Sequence, residues 1–372
     1  MKLVYLLNKI NGRGGLNRIA FDKMNYLINY YQIDVIYYGH ADDRPFYDVD
    51  KRINFHNIEI DPLSTFYKKF RLVLTIYKRY NRIINLISPD IIINMNTNIL
   101  SWIVPFIHRR IPKVIELHQS YNGVQIFNEN NYGKNNYRSK FSMFLRNMIY
   151  PSYDRVVVLT RKDKQQWGYG NMLVIGNYTN MKNDIPIDTD NKKFIWIGRL
   201  SHQKGIDLLV EVWKKFVEVN SEWSLFLIGN TPDPNDKQKN ALINFVSSPR
   251  YSDRIIYVDE TSEITKYYRR AAIYLSTSRY EGLPLCLIEA ATMGLPIIGF
   301  DITGNDEVVI NNENGYLIRP YDIQTFVDKM EKLISSRALL KEYSKMSLKQ
   351  AQKFDKEIIM KKWIQLFECL KK

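Results

Sequence analysis

Two glutamates, Glu281 and Glu289, stand eight residues apart in the stretch RYEGLPLCLIEAATMGLP that begins at Arg279. The apolar run 272–275 before them reads as a strand, and a helix is expected from about Pro284 to Gly294, with Pro296 as a breaker beyond. In open α/β sheets, ligands bind at the loops on the carboxyl ends of strands. The helix that follows such a loop turns unpaired N–H groups and the positive end of its dipole into it, which suits phosphate. Glu281 would reach a ligand there from the loop. Glu289, leaning back towards the helix start, would reach it from the helix. Acceptor carboxylates around an anion-binding helix end suit a molecule with both phosphates and hydroxyls, such as a nucleotide sugar.

A second cluster has the same strand–loop–helix setting. Phe194-Ile-Trp-Ile-Gly198-Arg199-Leu200 ends a strand, and Ser201-His-Gln-Lys204-Gly205 opens a helix. Gly198 lets backbone and ligand approach closely. Arg199 offers a planar fork of donors and Lys204 a compact point charge. Cations at a helix start oppose the dipole, so an anion is wanted beside them. A diphosphate fits, because its charge grows as a leaving group departs.

Together these residues resemble the E-x7-E and G-R-L-x-x-x-K-G motifs of retaining glycosyltransferases of the GT-B fold, most closely family 4 (group 1). The likeness runs on through Gly304-Asn-Asp-Glu307 and Asn314-Gly315-Tyr-Leu-Ile. It implies an α/β protein of two Rossmann-like, doubly wound domains facing each other across a cleft. It also implies metal-independent transfer, with no cofactor, of a sugar from a nucleoside diphosphate donor, UDP-linked, to a glycan hydroxyl. On that likeness Arg199 and Lys204 hold the diphosphate, while Gly198, Gly282, Leu283 and Leu285 line the donor site. Glu289 holds the ribose, and Glu281 acts at the sugar as a catalytic residue. The chain departs from the family at Asp259-Glu260, where glycine is common near the base pocket.

Gly12-Arg-Gly14-Gly15-Leu-Asn-Arg18 follows the first strand. A dinucleotide fingerprint would need glycine where Asn17 stands, so Asp34, 22 residues after Gly12, is a decoy for a ribose-binding acid. The string instead resembles the family's N-terminal glycine loop, which implies Gly14 and Gly15 beside the donor phosphates and Arg18 on the acceptor side. His118 ends the strand 113–117. The family's sugar-contacting histidine implies a catalytic-site hydrogen bond from it to a sugar hydroxyl, and Glu116, on the same strand face, could orient it. Asp48-Val-Asp50 and Asp188-Thr-Asp190 match a D-x-D metal motif but follow no clear strand. Two cations already serve the diphosphate, so no metal is expected.

The elements that must position these groups alternate twice. Apolar runs at 3–7, 34–38, 90–93, 113–117 and 155–159 read as buried parallel strands, with helices such as 16–30 and 65–86 between them. After a polar stretch, 176–192, strands recur at 194–197, 224–228, 255–258, 272–275 and 296–300. A chain of 372 residues with this order divides into two doubly wound domains, 1–176 and 190–354. The amphipathic helix 355–372 carries Ile358, Ile359, Trp363, Leu366, Phe367 and Leu370. The resemblance implies that it crosses back onto the first domain.

Two cysteines, Cys286 and Cys369, give no disulfide framework, as fits a reducing cytoplasm. The apolar region 99–107 is broken by Pro105 and falls short of the ~20 residues of a membrane span. Of the net charge of +14, residues 1–176 hold +12, with 25 cations against 13 acids. Nucleic acid, an anionic membrane or a phosphorylated acceptor would each answer that asymmetry. No nucleic-acid recognition motif is present. The segment 66–82 interleaves Lys68, Lys69, Arg71, Lys78, Arg79 and Arg82 with aromatics, as a membrane-surface helix would. A polyprenyl-diphosphate-linked glycan acceptor at the inner membrane face fits this charge. The alternatives are a nucleotide-sugar 2-epimerase of the same fold and a basic nucleic-acid-binding protein. The intact set of Arg199, Lys204, Glu281 and Glu289 argues against a silent scaffold.

Overall fold

Apolar runs without alternation make strands covered on both faces, and this chain gathers them into two parallel sheets. The computed structural model describes residues 1–40, 42–59, 66–97, 99–132, 136–183, 187–230 and 237–371, with the side chains of 59, 66–72, 99, 130–132 and 237–238 outside that description. The first sheet holds β1 (Lys2–Leu7), β2 (Gln32–Gly39), β3 (Asn54–Glu59), β4 (Ile91–Asn94), β5 (Lys113–Leu117), β6 (Arg155–Val158) and β7 (Met172–Val174). Their order is β3-β2-β1-β4-β5-β6-β7. The second holds β8 (Lys193–Ile197), β9 (Ser224–Ile228), β10 (Ile255–Val258), β11 (Ile273–Ser276), β12 (Ile297–Phe300) and β13 (Gly315–Ile318), in the order β10-β9-β8-β11-β12-β13. Leu3 pairs with Ile33 of β2 and Ile91 of β4; Phe194 pairs with Leu225 of β9 and Ile273 of β11.

The chain separates into two compact units, Met1–Gly176 with Glu357–Lys372, and Asn177–Lys356. The charge divides with them. The first unit has 29 cations against 15 acids and so carries the whole +14, while the second has 24 of each. Each unit has its own core. In the second, Phe194, Trp213, Phe216 and Trp223 form an aromatic cluster, with Phe194 4.8 Å from Trp223 and 5.1 Å from Phe216 between ring centroids. The C-terminal helix Lys356–Leu370 packs within the first unit. Its Phe367 meets Tyr31 edge to face at 5.9 Å, and Tyr26 donates a 2.6 Å hydrogen bond to Glu357. Ile358 does not share the buried face as expected, being 47% exposed, and Met360 takes its place. No helix of the described residues is long and apolar enough to cross a membrane.

Among the described residues, three strands exceed the ten expected. β3, β7 and β13 all lie at sheet edges. An edge strand is covered less fully, so β3 tolerates Asn54, His56 and Asn57, and β7 is only three residues long. β3 lacks the apolar run that marks a central strand, and the apolar run of β7 is too short to stand out.

Candidate active site

In the second sheet the chain runs from β8 outward to β9 and β10, then restarts on the other side of β8 with β11. The reversal falls between β8 and β11, where adjacent loops diverge and ligands bind in folds of this kind. Gly198, Arg199 and Lys204 leave β8 here. Glu281, Gly282 and Leu283 leave β11, and the helix Leu285–Thr292 carries Leu285 and Glu289.

Local backbone chemistry fixes the two loops to each other. Gly205 lies in the left-handed region at φ +64°, and a Cβ there would run into the Thr277 carbonyl. The Thr277 hydroxyl donates to the carbonyls of Lys204 (3.2 Å) and Gly205 (2.9 Å) and accepts from Trp196 Nε1 at 3.1 Å. Arg279 forks onto Asp207, in the first turn of the helix Ile206–Val219, at 2.8 and 2.5 Å. The next loop is locked as well. Gly304 sits at φ +94°, where a Cβ would strike the Gly282 carbonyl, so only glycine lets these backbones touch. Asn177 Nδ2 donates to the Leu283 carbonyl at 2.7 Å.

This bracing brings Lys204 Nζ to 2.6 Å from Glu281 Oε1, and the Ser278 hydroxyl donates to the same oxygen at 2.8 Å. Glu281 is only 7% exposed. Burial alone would lower the Lys204 pKa, but the Glu281 carboxylate outweighs it and the net shift is upward. Lys204 therefore stays a cation across the physiological range. This alters one step of the sequence argument, since the Lys204 charge is met from within the protein. Arg199 is exposed and takes no hydrogen-bond partner among the described residues, so it is the cation left for an outside anion. Gly198 gives the lysine stem its room, since a Cβ would come within 3.2 Å of Lys204 Cγ and Cδ. Glu289 is buried and accepts a 3.0 Å hydrogen bond from Tyr268. Between the two glutamates in sequence, the Cys286 thiol is pushed up by burial, with Lys204 opposing and Glu281 and Glu289 adding to the shift.

The other residues expected at the site, Gly14, Gly15, Arg18 and His118, belong to the first unit and are described within it. Gly14 and Gly15 are exposed, and Arg18 is half-buried on the first helix, Gly15–Leu27. Gly14 has an ordinary extended backbone and a Cβ there would meet nothing, so packing does not demand glycine. Asn17 Nδ2 donates to the Lys9 carbonyl at 2.9 Å and braces the loop. Asp34 is engaged by His56 Nε2 at 2.7 Å. His118, just past β5, has its Nε2 3.3 Å from Glu116 Oε2, without the alignment of a hydrogen bond. Glu116 is itself paired with Lys23, both fully buried, and the Lys23 ammonium lies 3.9 Å above the Trp363 ring of the C-terminal helix. Burial works to raise the Glu116 carboxyl, yet Lys23 and His118 hold it below its ordinary range. Asp50 of the first D-x-D is held at a pKa of about 2 by its hydrogen bonds from Arg52, and Asp190 of the second pairs with Arg337 at 2.6 Å.

Residues 177–353 match the family described as Glycosyl transferases group 1, and residues 13–168 match Glycosyltransferase Family 4. The chain belongs to the group 1 glycosyltransferases. It is 25% identical to the amylovoran biosynthesis glycosyltransferase AmsD of Erwinia amylovora, over 97% of this chain and 98% of AmsD. Its GT-B fold is shared with sucrose-phosphate synthase from Thermosynechococcus elongatus, at a TM-score of 0.80 and 18% identity over 99% of this chain and 98% of that one. Anabaena HepE, solved in complex with UDP and glucose, aligns at a TM-score of 0.76 and 17% identity over 99% of this chain and 100% of HepE.

Sequence reasoning passed over several residues that shape this group 1 glycosyltransferase. Ser278 stands three residues before Glu281, and a hydroxyl at that offset in a tight loop was a usable signal. Thr277, Asn177 and the Arg279–Asp207 fork act over 72 to 106 residues of sequence and left no local trace. Lys23, on the helix Gly15–Leu27, was not singled out in the sequence, and only its partner 93 residues away explains its burial.

Proposed function

We propose that this glycosyltransferase transfers a sugar, with retention and without a metal, from a UDP-sugar to a hydroxyl of a lipid-linked glycan during surface-polysaccharide assembly on the cytoplasmic face of the membrane. The observation that carries the reading is the Lys204–Glu281 pair at the β8/β11 reversal with exposed Arg199 beside it. HepE, solved with UDP and glucose, and AmsD, an amylovoran biosynthesis enzyme, support the donor and the pathway class. In the reaction, the bond from the anomeric carbon to the β-phosphate oxygen breaks, and the acceptor oxygen bonds to the same face of that carbon. The departing phosphate oxygen takes the acceptor proton. Arg199 and Lys204 steady the charge growing on the diphosphate, as preorganised donors do at developing anions. Glu281 Oε1 is already taken by Lys204 and Ser278, which leaves Oε2 to accept from a sugar hydroxyl and to steady positive charge at the anomeric carbon. Glu289, fixed by Tyr268, holds the ribose, and His118 donates to the sugar from the first unit. The exposed loop Gly14–Gly15 and Arg18 serve the phosphates and the acceptor.

The test is a thermal-shift panel of UDP-, GDP- and ADP-sugars, followed by product analysis with and without a glycan acceptor in excess EDTA. A UDP-sugar should stabilise the protein most, and product should form only with acceptor. An epimerised donor formed without acceptor, or loss of turnover on chelation, would overturn the reading.

A further inference from the structure

The helix Tyr137–Ile149 does the reverse of what an amphipathic helix in a soluble protein ordinarily does. Its sequence, YRSKFSMFLRNMI, would bury an apolar face, yet none of its residues is fully buried. Met143 and Ile149, half-buried, anchor it to the core of the first unit. On the outer side Tyr137, Phe141, Phe144 and Met148 are 71%, 58%, 57% and 59% exposed. Their spacing of four, three and four residues puts them in one stripe along the helix. Tyr137, Phe141 and Phe144 line a shallow apolar hollow with Lys140. Contiguous exposed aromatics of this kind mark an interaction surface.

The charge around the stripe identifies its occupant. From residue 130 to residue 153 the chain contains no Asp or Glu, while Lys134, Arg138, Lys140 and Arg146 all fall within it. The unit that bears the helix carries the entire +14. Aromatic and sulfur side chains flanked by cations, without an acid among them, match the boundary between acyl chains and anionic headgroups. A second copy of this chain fits poorly, because a two-fold contact would set Arg138 and Lys140 against their own equivalents. We propose that the exposed stripe of the helix Tyr137–Ile149 is a docking surface for an anionic phospholipid bilayer. This surface differs from the helix Phe66–Ile87, where the interleaved cations of the sequence suggested contact. There Lys78, Arg79 and Arg82 are exposed, and the side chains of Lys68, Lys69 and Arg71 lie outside the described set. The proposal does not depend on the identity of the acceptor.

Co-sedimentation of the full chain with phosphatidylcholine vesicles, with and without phosphatidylglycerol, tests it. The protein should bind only the anionic vesicles and should release at ~1 M salt, where the Debye length shrinks to ~3 Å. Phe141→Ser with Phe144→Ser should weaken binding about tenfold or more, since each buried phenyl ring contributes on the order of a tenfold factor. Phe141→Leu with Phe144→Leu should keep most of it. Both pairs sit on an exposed face, so they should melt with wild type and turn over a short soluble acceptor normally. Lys78→Glu with Arg82→Glu, on the other helix, should bind nearly as wild type does. Failure of wild type to bind anionic vesicles at low salt would overturn the proposal. So would full binding by the serine pair, abolition of binding by the Lys78 and Arg82 reversals alone, or a wild-type dimer that the serine pair converts to monomer.

Discussion

Replacing Lys204 with alanine should do two separable things, because its ammonium serves both the fold and the proposed chemistry. In the fold, Glu281 is 7% exposed and its Oε1 takes, among the described residues, Lys204 and Ser278. Removing one partner of a buried ion pair typically costs ~3–5 kcal/mol, because the other charge is left uncompensated. The Lys204 side chain is 16% exposed, so solvent reaches the pair and the lower end, about 3 kcal/mol, applies. For a unit of this size, ~2–4 °C of melting temperature accompany each kcal/mol, so a fall of about 6–12 °C is expected. In the chemistry, losing one preorganised donor to a developing anion costs ~3 kcal/mol of transition-state stabilisation, or about 10²-fold in kcat.

A second variant separates these effects. Lys204→Met with Glu281→Gln removes both charges, and such neutral replacements often restore or exceed the original stability. That pair should recover the melting temperature while turnover stays at or below the Lys204→Ala level. Circular dichroism melts and initial rates on a UDP-sugar measure both quantities. A Lys204→Ala protein that melts with wild type would refute the structural half of the reasoning. One that melts low yet turns over normally at low temperature would make Lys204 a counter-ion of Glu281 and remove it from the diphosphate.

The two glutamates should fail differently. Glu289→Gln should raise the donor KM and weaken UDP binding, while Glu281→Gln should depress kcat more than UDP affinity, as steady-state kinetics and calorimetry would show. Exchanged phenotypes would reverse the placement of ribose and sugar. Glu116 predicts a pH effect. Its folded pKa lies below the ordinary value, so its stabilising contribution is complete above about pH 4.3 and is lost as pH falls through the folded value. Glu116→Gln should therefore flatten the acid limb of a melting-temperature profile below about pH 4.5, and an unchanged slope there would remove the Lys23–Glu116 pair as its source.

What the sequence disclosed and what it concealed divide by range. The central strands announced themselves as apolar runs, and the loop positions of Gly198, Arg199 and Glu281 followed from strand ends and helix starts, all properties of a few adjacent residues. β3 stayed hidden because an edge strand needs little apolar surface, and NFHNIE supplies little. Lys23 stayed hidden because burial of a lysine becomes tolerable only with Glu116 and the Trp363 ring in place, one from β5 and one from the C-terminal helix.

The same division bears on the chemistry. Sequence spacing could assign Lys204 to an anion but could not show that Glu281, 77 residues on, already supplies one. The two roles are compatible, because an ammonium has three N–H donors in directions that rotate freely. One satisfies Glu281 Oε1, and in the proposed mechanism the others would serve a diphosphate held by Arg199. Glu281 in turn keeps Lys204 protonated despite its burial, so the cation is in place before charge develops on the leaving group. In the proposed mechanism a carboxylate that fixes the charge of its neighbour with one oxygen would offer the other to the sugar, and would so link donor activation to sugar positioning through a single side chain.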